Sequence, residues 1–381
     1  MRIVVVSGSS QSLTNFRGEM LRAMASNGHR VLGLGPEDEP RVRAALGSMG
    51  VGFDTAPISR HSVNPLRDLR ATVALARRFR RFRADVTLTY SPKPVIYGTL
   101  AAWLAGVPLR SAMITGVGSA LGGSQVGLRR RALGWVMLAL YRLALSRAHV
   151  VFFQNPDDER LFRSKRLIGE HQRVVRIRGS GVDLAHYSPV PLPTGPVVFL
   201  MISRLIRDKG TVEFVEAARA VRQGRPDVRF LLLGGEDPNP SAVPAEQVEA
   251  WRREGAVEIL APVRDIRPVI ARCHVVVLPS YSEGMPRSVL EGMAMGRAIL
   301  TTDAPGCRET VDPGRNGLLV PVRDAAALAE GMQALLSDAE HLGQLGRESR
   351  IMAEERFDVH EVNKVILASL GLSAASSPEG R

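Results

Sequence analysis

Residues 275–296 read VVVLPSYSEGMPRSVLEGMAMG, and this stretch decides how the second half of the chain is interpreted. The continuous apolar run Val275–Leu278 predicts a parallel strand that is covered on both faces. Pro286 suits the first turn of a helix, where its missing N–H removes no hydrogen bond. Glu283 is therefore expected at the carboxyl end of a strand, where open α/β sheets bind ligands. Glu291 is expected about one and a half turns into the helix, facing the same cleft.

The two glutamates admit two interpretations. One carboxylate at the mouth of a cleft and one on its helix can each hold hydroxyl groups of a polyol, and a sugar nucleotide offers two such groups. Alternatively, Glu283 is an acid at a helix N-terminus and Glu291 is a solvated side chain. For two isolated glutamates the second interpretation is favoured, so the surrounding sequence decides.

Strands and helices alternate along the whole chain, which predicts an α/β protein with two Rossmann-like, doubly wound parallel-sheet domains facing a cleft. Four prolines within residues 187–196 predict a linker. The predicted parts are a first domain at 1–186, the linker at 187–196, a second domain at 197–357, a helix at 358–372 that can return to the first domain, and a disordered tail at 373–381. The strands predicted for the first domain are Ile3–Ser7, Arg30–Gly33, Val86–Thr89, Leu109–Ile114 and, as the last, Val150–Phe153.

Composition places the chain among cytoplasmic proteins without a membrane span. Its 381 residues include only two cysteines, Cys273 and Cys307, so no disulfide framework is expected and a reducing compartment fits. The apolar run at the N-terminus is too short for a signal peptide. No uncharged apolar stretch reaches the roughly eighteen residues that a transmembrane helix needs.

Charge is distributed unevenly between the two halves. Residues 1–190 hold 28 Lys and Arg against 12 Asp and Glu, whereas residues 191–381 hold 22 against 26. The basic half should attract an anionic partner, namely a membrane surface, a nucleic acid or a phosphorylated substrate, unless the arginines only reflect base composition. It lacks the interleaved aromatic residues and the motifs of nucleic-acid binders, so no nucleic acid is expected.

Two further loops of the second domain follow predicted strands. Arg204 and Lys209 flank the turn after the strand Val197–Ile202, where a guanidinium fork and a point charge beside a helix N-terminus can hold a diphosphate. A solvated basic loop is an equally good interpretation of these two residues alone. A loop at 302–310 follows the strand Ala298–Thr302 and offers glycine backbone for an anion or a base. Cations, carboxylates and glycines at one sheet edge suit a nucleotide diphosphate-sugar.

The second half resembles the retaining glycosyltransferases of family 4, which have the GT-B architecture. The resemblance lies first in Glu283 and Glu291, with seven residues between them, and in the sequence that surrounds the two glutamates. It also includes Ser203–Leu205 with Lys209, and the glycine-rich turn 179–183. Gly292 departs from the alanine that the family often has there. The resemblance implies a UDP-sugar donor, no metal and no other cofactor. It also implies front-face attack, in which the leaving phosphate accepts the acceptor proton.

The same resemblance implies individual roles on the donor side. Arg204 and Lys209 would hold the diphosphate and stabilise the leaving group, Glu291 would bind the ribose, and Glu283 would contact the donor sugar. The backbone of Gly284, Met285 and Pro286 would also contact the donor. Val263 and Arg264 would contact the base, although a plain surface loop is an equally good interpretation of these two residues. Some relatives have a histidine near the donor sugar. His61 is the candidate here, although a surface-loop histidine is the favoured interpretation.

The first domain resembles a bacterial subgroup that extends saccharides linked to undecaprenyl diphosphate. The resemblance rests on 12–17, 93–98 and 114–118. It implies that the acceptor, a polyprenyl-diphosphate-linked saccharide, contacts Asn15, Arg17, Lys93, Thr115 and Gly116. For each of these single residues a structural role is equally acceptable.

Two helices in the basic half suggest contact with an anionic membrane. The helix Leu66–Arg83 is rich in arginine, and residues 128–141 join an arginine triplet to an apolar helix with Trp135 and Tyr141. For the second helix, a core helix with a solvated start is slightly favoured. A lipid-linked acceptor implies a location on the inner face of the cell membrane. Two alternatives stay open, a glycosyltransferase with a soluble acceptor and, least favoured, a nucleic-acid-binding module.

Overall fold

The computed structural model describes residues 1–58, 64–116, 128–237, 239, 241–336 and 339–373. The chain forms two units, here called the first unit (Met1–Ser180 with the residues from Val359 onward) and the second unit (Gly181–Asp358). The predicted boundary lay at the linker, six residues later, so 181–186 belong to the second unit and not to the first domain. His61 and the tail from 374 onward lie outside the described residues.

The first unit is built on a seven-stranded parallel sheet with the order β3-β2-β1-β4-β5-β6-β7. Its strands are β1 (Arg2–Val6), β2 (Arg30–Gly35), β3 (Gly52–Thr55), β4 (Val86–Tyr90), β5 (Leu109–Ile114), β6 (Val150–Phe153) and β7 (Arg173–Arg176). The central strand β1 is apolar and almost wholly buried, with Val4 beside Leu32 of β2 and Thr87 of β4. The prediction of two parallel-sheet α/β domains is confirmed.

Seven helices accompany this sheet among the described residues up to Ser180. They are α1 (Ser10–Asn15), α2 (Gly18–Ser26), α3 (Pro40–Ser48), α4 (Pro65–Phe82), α5 (Thr99–Leu104), α6 (Leu128–Leu145) and α7 (Pro156–Ser164), and a π-helical turn, Pro94–Gly98, leads directly into α5. Alternate residues of β1 point to opposite faces: Val4 and Val6 pack with α4 and α5, whereas Ile3 and Val5 pack with α1 and α2.

Two strands of the first unit escaped the sequence prediction. The strand β7 follows Val150–Phe153, which is therefore not the last strand, and its sequence RVVR has only half-buried valines between exposed arginines. In β3 only Phe53 is a buried apolar residue. Both lie at the edges of the sheet, where strands are short and carry a weak apolar pattern. The helix predicted at Phe16–Ser26 is α2, which begins two residues later, and the short helix α1 before it was not predicted.

The second unit has a six-stranded parallel sheet with the order β10-β9-β8-β11-β12-β13. Its strands are β8 (Val198–Ile202), β9 (Arg229–Leu233), β10 (Glu258–Leu260), β11 (Val275–Leu278), β12 (Ala298–Thr302) and β13 (Gly317–Val320). Its helices are α8 (Thr211–Gly224), α9 (Ala245–Glu254), α10 (Arg267–Ile270), α11 (Arg287–Ala294), α12 (Ala325–Leu335) and α13 (Ala339–Arg356). Every residue of β11 and β12 is buried, as a central parallel strand requires.

The proline-rich segment 187–196 belongs to the second unit and is fixed to it by arginines. The fully buried Arg297 donates to the carbonyl of Pro191 at 3.2 and 3.3 Å, and Arg350 donates to the carbonyl of Tyr187 at 3.1 Å. A last helix, α14 (Val359–Ser369), packs against α2 and so completes the core of the first unit.

In both sheets the winding direction changes beside the first strand. The strand β1 lies between β2 and β4, and β8 lies between β9 and β11. Ligands of doubly wound sheets bind outside the carboxyl ends of the strands at such a switch point. The loops after β1 and β4, and those after β8 and β11, are therefore the places to look for function.

Candidate functional site

Three loops of the second unit interlock at the carboxyl edge of its sheet. The loop after β8 contacts the loop after β11, because the backbone carbonyl of Asp208 accepts from the Tyr281 N–H at 3.0 Å and from the Ser280 hydroxyl at 3.2 Å. The loop after β12 joins them, since the Glu283 N–H donates to the carbonyl of Pro305 at 2.9 Å. The loops that the sequence associated with a donor therefore do lie together.

Two glycines make this close approach possible. A Cβ on Gly210 would lie 2.1 Å from the carbonyl oxygen of Pro279, and a Cβ on Gly306 would lie 2.3 Å from that of Glu283. Both glycines also have positive φ, 73° and 76°. Any side chain at either position would push two of the three loops apart.

Lys209 and Glu283 form an ion pair at the meeting point of these loops. The ammonium of Lys209 donates to the Glu283 carboxylate, and the two side chains are 19% and 15% exposed. Lys209 ends a short 3₁₀ turn directly before α8, so its charge stands at the beginning of that helix. The pair places a cation and a carboxylate side by side at the switch point.

Cys307 is buried close to this pair. Burial, together with the charge of Glu283, raises the pKa of its thiol to about 12. A thiol with such a pKa stays protonated at neutral pH and is a poor nucleophile. The cysteine nearest to the ion pair therefore has a packing role.

Glu291 lies in the second turn of α11 and is only 7% exposed. It is not a solvated side chain: Arg287, one turn earlier, donates to its carboxylate at 3.0 Å, and the Tyr187 hydroxyl donates a second hydrogen bond. Burial raises the pKa of the Glu291 carboxyl, and both partners act against that rise. The result is a buried carboxylate held by two named donors.

The remaining predicted donor residues are more exposed or act through backbone. Arg204 is exposed, and its guanidinium lies 2.9 Å from the Asp237 carboxylate. Val263 and Arg264 are exposed in the loop after β10. At the beginning of α11, Gly284 is buried and Met285 is half-buried, and Pro286 is the N-cap residue, one position before the first turn in which it was predicted.

In the first unit, Lys93 belongs to a buried polar cluster behind β4. Its ammonium lies 2.8 and 3.1 Å from the two carboxylate oxygens of Asp68 on α4, and the two side chains are 17% and 7% exposed. The Tyr97 hydroxyl donates to the same carboxylate, and burial together with Asp68 raises the pKa of Tyr97 to about 12. Tyr97 lies in the π-helical turn, a local distortion that is common at functional sites.

Arg17 lies on the other side of the same switch point. It is 2% exposed, and its guanidinium is 5.3 Å from the ring centroid of Tyr90, whose hydroxyl is 2.9 Å from that of Ser12. Asn15, at the end of α1, is exposed. Lys93 and Arg17 therefore follow neighbouring strands of one sheet, whereas Asn15 faces solvent.

Thr115 and Gly116 come directly after β5 and are half-buried. Gly116 has a φ of 109°, a conformation that side chains rarely adopt. Both residues thus stand at the carboxyl edge where the sequence predicted acceptor contacts.

Sequence reasoning missed the partners of the predicted residues. Tyr187 lies in the segment that was interpreted only as a linker. Asp68 is the only acid of a helix full of arginines, which was an available signal. Arg287 lies four residues before Glu291, and this helical spacing predicts an ion pair. The loop at 302–310 also has a structural part, since the buried amide of Asn316 donates to the carbonyl of Thr310 at 3.0 Å.

No group of three or more His, Cys, Asp or Glu side chains that could hold a metal ion occurs in the part of the chain that the structure describes. Metal independence stays a prediction. Over the same residues, every helix is too short or too polar to cross a bilayer.

Two family models match the chain, one to each unit. The model described as Glycosyl transferase 4-like domain matches residues 14–179, and the model described as Glycosyl transferases group 1 matches residues 196–338. The chain is 30% identical over 89% of its length, and over 90% of the relative, to N,N'-diacetylbacillosaminyl-diphospho-undecaprenol alpha-1,3-N-acetylgalactosaminyltransferase of Campylobacter jejuni. It is 23% identical, over 73% of each chain, to the UDP-Gal:alpha-D-GlcNAc-diphosphoundecaprenol alpha-1,3-galactosyltransferase of Escherichia coli.

Among solved structures, HepE of Anabaena in complex with UDP and glucose superposes with a TM-score of 0.76. The match covers 97% of this chain and 99% of HepE at 19% identity. At this identity, the match supports the fold of the chain and nothing further. Together with the two parallel-sheet units, these matches confirm both the fold and the class of enzyme: the chain is a glycosyltransferase of family 4, with the GT-B fold.

Proposed function

We propose that this enzyme transfers a hexose or N-acetylhexosamine from a UDP-sugar, with retention of configuration, to a saccharide linked to undecaprenyl diphosphate. The reaction would serve the synthesis of a cell-surface glycan or polysaccharide. One observation carries the proposal: the relative that is 30% identical over 89% of this chain is named for a diphospho-undecaprenol substrate. The name of the Escherichia coli relative includes both a UDP-sugar and such an acceptor, which supports the same assignment.

The donor would bind to the second unit. Lys209 and Arg204 would hold the diphosphate, because both cations stand at the carboxyl end of β8 beside the beginning of α8. Glu291 would accept hydrogen bonds from the ribose hydroxyls, a role that suits a carboxylate already fixed by two donors. Glu283 would contact the donor sugar. The other donor contacts would come from the backbone of Gly284, Met285 and Pro286 and from Val263 and Arg264.

The acceptor would bind to the first unit. Lys93 and Arg17 supply positive charge at the switch point of that sheet, where an acceptor diphosphate would be neutralised. Asn15, Thr115 and Gly116 lie at the same edge and would contact the saccharide or the diphosphate. A lipid-linked acceptor would keep the enzyme on the inner face of the cell membrane.

The chemistry proposed for this enzyme needs no protein nucleophile. The acceptor oxygen would form its bond to the anomeric carbon on the face from which the UDP oxygen departs. The electrons of the breaking bond would go to the diphosphate, which would take the proton of the acceptor hydroxyl. Lys209 and Arg204 would stabilise the negative charge that develops on the leaving group, and the loops would fix the two reactants.

A donor and acceptor screen tests this proposal. The purified chain is incubated with UDP- and GDP-sugars and a short-chain polyprenyl-diphosphate saccharide, and the product is identified by mass spectrometry and its anomeric configuration by NMR. We expect transfer from a UDP-sugar, and we expect the new linkage to have the same anomeric configuration as the sugar in the donor. Transfer only to water-soluble acceptors without a lipid diphosphate would favour the alternative, a glycosyltransferase with a soluble acceptor. Binding of none of the sugar nucleotides would refute the proposal.

A further inference from the structure

Helix α5 packs against both α4 and α6, and the three helices form one layer of the first unit. The outward side of this layer exposes large apolar side chains, which are Leu66, Leu69, Val73, Trp103, Leu104, Trp135, Val136 and Leu143. The other layer, made of α1 to α3 and α14 with the connection between α1 and α2, exposes two such side chains among the described residues, Phe16 and Val365. Among the described residues, eight exposed apolar side chains thus lie on the layer of α4, α5 and α6, against two on the other layer.

On α4 this exposure forms a stripe. Leu66, Leu69 and Val73 follow the spacing i, i+3, i+7, which places them on one side of a helix, and Leu66 is 69% exposed. The opposite side of α4, with Leu75 and Phe79, is buried in the core. The helix is therefore apolar on both sides, and only one of them has a partner within the described residues.

The same surface carries positive charge without exposed acids. Exposed arginines on α4 are Arg67, Arg70, Arg77, Arg80 and Arg81. The only acid of α4, Asp68, is buried against Lys93. After Asp85, the sequence contains no Asp or Glu until Asp157, so neither α5 nor α6 has an acid.

Exposed leucines and tryptophans beside arginines match the interface of an anionic bilayer, where apolar side chains enter the acyl boundary and cations meet lipid phosphates. Trp135, on α6, is 75% exposed. Trp103, on α5, has the Arg147 guanidinium 4.4 Å from its ring centroid, which pairs an aromatic ring with a cation at this surface. A nucleic acid would use the arginines but would leave the apolar stripe in water.

We propose that the outward surface of α4, α5 and α6, which includes the stripe Leu66–Leu69–Val73, is the face by which this enzyme binds an anionic lipid bilayer. The inference deepens the proposed function and rests on it for its biological meaning. Its geometry also fits that function. Asp68 lies in the first turn of α4 between Leu66 and Leu69, and it points inward to Lys93, a candidate contact of the acceptor diphosphate.

Vesicle sedimentation tests the surface. The full chain is mixed with vesicles of phosphatidylcholine alone or with phosphatidylglycerol. We expect binding to the anionic vesicles, and we expect L66S/L69S/V73S to lower the partition coefficient by at least about tenfold. R70Q/R77Q should lower it as well and reduce its salt dependence. The matched controls, V322S/I351S and R253Q/R347Q, change exposed residues of the second unit and should bind as wild type does.

Wild-type partitioning by the triple variant would overturn the inference, as would equal loss in the controls. If the triple variant fails to fold by circular dichroism, L66S alone takes its place. Binding of the wild type to duplex DNA rather than to vesicles would also overturn it. Each variant is assayed in parallel with a water-soluble, short-chain polyprenyl-diphosphate acceptor, and turnover should be unchanged. If the wild type transfers no sugar in that assay, the proposed function is contradicted. If the wild type transfers sugar but does not bind anionic vesicles, only the proposed membrane-binding surface is contradicted.

Discussion

The ammonium of Lys209 contacts the carboxylate of Glu283, although 74 positions separate the two residues in the chain. They meet because β8 and β11 are neighbours in the sheet, so the loops that follow these strands end side by side. Each charge is largely buried and compensates the other. If Lys209 binds the donor diphosphate as proposed, the diphosphate would share or replace the bond to Glu283, and this carboxylate would lie beside the leaving group.

Removal of either member of this pair should therefore disable the enzyme. We expect K209A and E283A each to lower kcat by at least about a hundredfold, the scale on which lost positioning or charge-stabilising groups act. Steady-state kinetics with a UDP-sugar measure the effect. The double variant should lose much less than the product of the two single losses, because the two side chains act as one unit.

The exposed pair Arg219–Glu254 provides the control for these variants. R219A and E254A should leave kcat within about twofold of wild type, since exposed ion pairs contribute little. Additive losses at Lys209 and Glu283, or a K209A enzyme with normal turnover, would contradict the roles proposed for them.

Tyr187 should act as a positioning residue for Glu291. We expect Y187F to raise the donor KM by about three- to tenfold, the equivalent of about 0.7 to 1.4 kcal/mol and the usual net contribution of one hydrogen bond, with kcat nearly unchanged. R287Q should have a larger effect on KM. Y141F in the first unit is the matched control and should leave the donor KM as it is. A fall in kcat without a change in KM would contradict the assignment.

The acid side of the pH profile should report Glu291. Burial raises the pKa of this carboxyl, so it takes up a proton at a higher pH than an ordinary glutamate does, and a protonated carboxyl accepts ribose hydrogen bonds poorly. We expect kcat/KM for the donor to fall as pH falls through that raised pKa. Arg287 and Tyr187 both lower the pKa, so Y187F should move the acid limb to higher pH. An acid limb that stays in place or moves to lower pH would count against Glu291.

Lys93 should matter for the acceptor and for stability. K93M leaves the Asp68 carboxylate buried without its ammonium partner, and we expect a loss of about 3 kcal/mol in the free energy of unfolding together with a higher acceptor KM. K93M/D68N should recover much of the stability without recovering the acceptor KM. R43Q breaks the exposed pair with Asp38 and serves as the control. Full recovery of the acceptor KM in the double variant would show that Lys93 has a structural role only.

Turnover should not depend on a divalent cation. We expect activity to persist after dialysis against EDTA, with Lys209 and Arg204 rather than a metal opposing the charge of the diphosphate. The measurement is the initial rate before and after dialysis, and again after Mg²⁺ or Mn²⁺ is restored. Loss on dialysis with recovery on restoring either cation would contradict this expectation.

The sequence predicted those features that depend on local pattern. The run Val275–Leu278 is continuous and apolar, and Ala298–Thr302 begins with three apolar residues; they are the fully buried strands β11 and β12. The loops after such strands could be placed at one sheet edge, because parallel strands share an orientation. The strands β3 and β7 were missed because half-exposed edge strands lack that pattern.

Contacts between residues far apart in the chain could not be predicted from the sequence. Nothing near Tyr187 indicates that its hydroxyl meets Glu291, more than a hundred positions later, since the prolines around it suggest only an extended linker. The same holds for Arg297, whose burial against the carbonyl of Pro191 fixes that segment to the second unit. Such contacts arise from packing of distant elements and leave no trace in a single stretch of sequence.

The chain passes from the first unit to the second once, at Ser180, and returns once, at Asp358. These two crossings are adjacent, because the Val182 N–H donates to the carbonyl of Phe357 at 2.7 Å and Val182 bridges Asp358. The second unit is therefore an insertion with neighbouring ends, and domains with such ends tolerate exchange as one continuous segment. One continuous replacement of residues 181–358 would exchange every strand of the sheet of that unit while leaving intact all seven strands of the other.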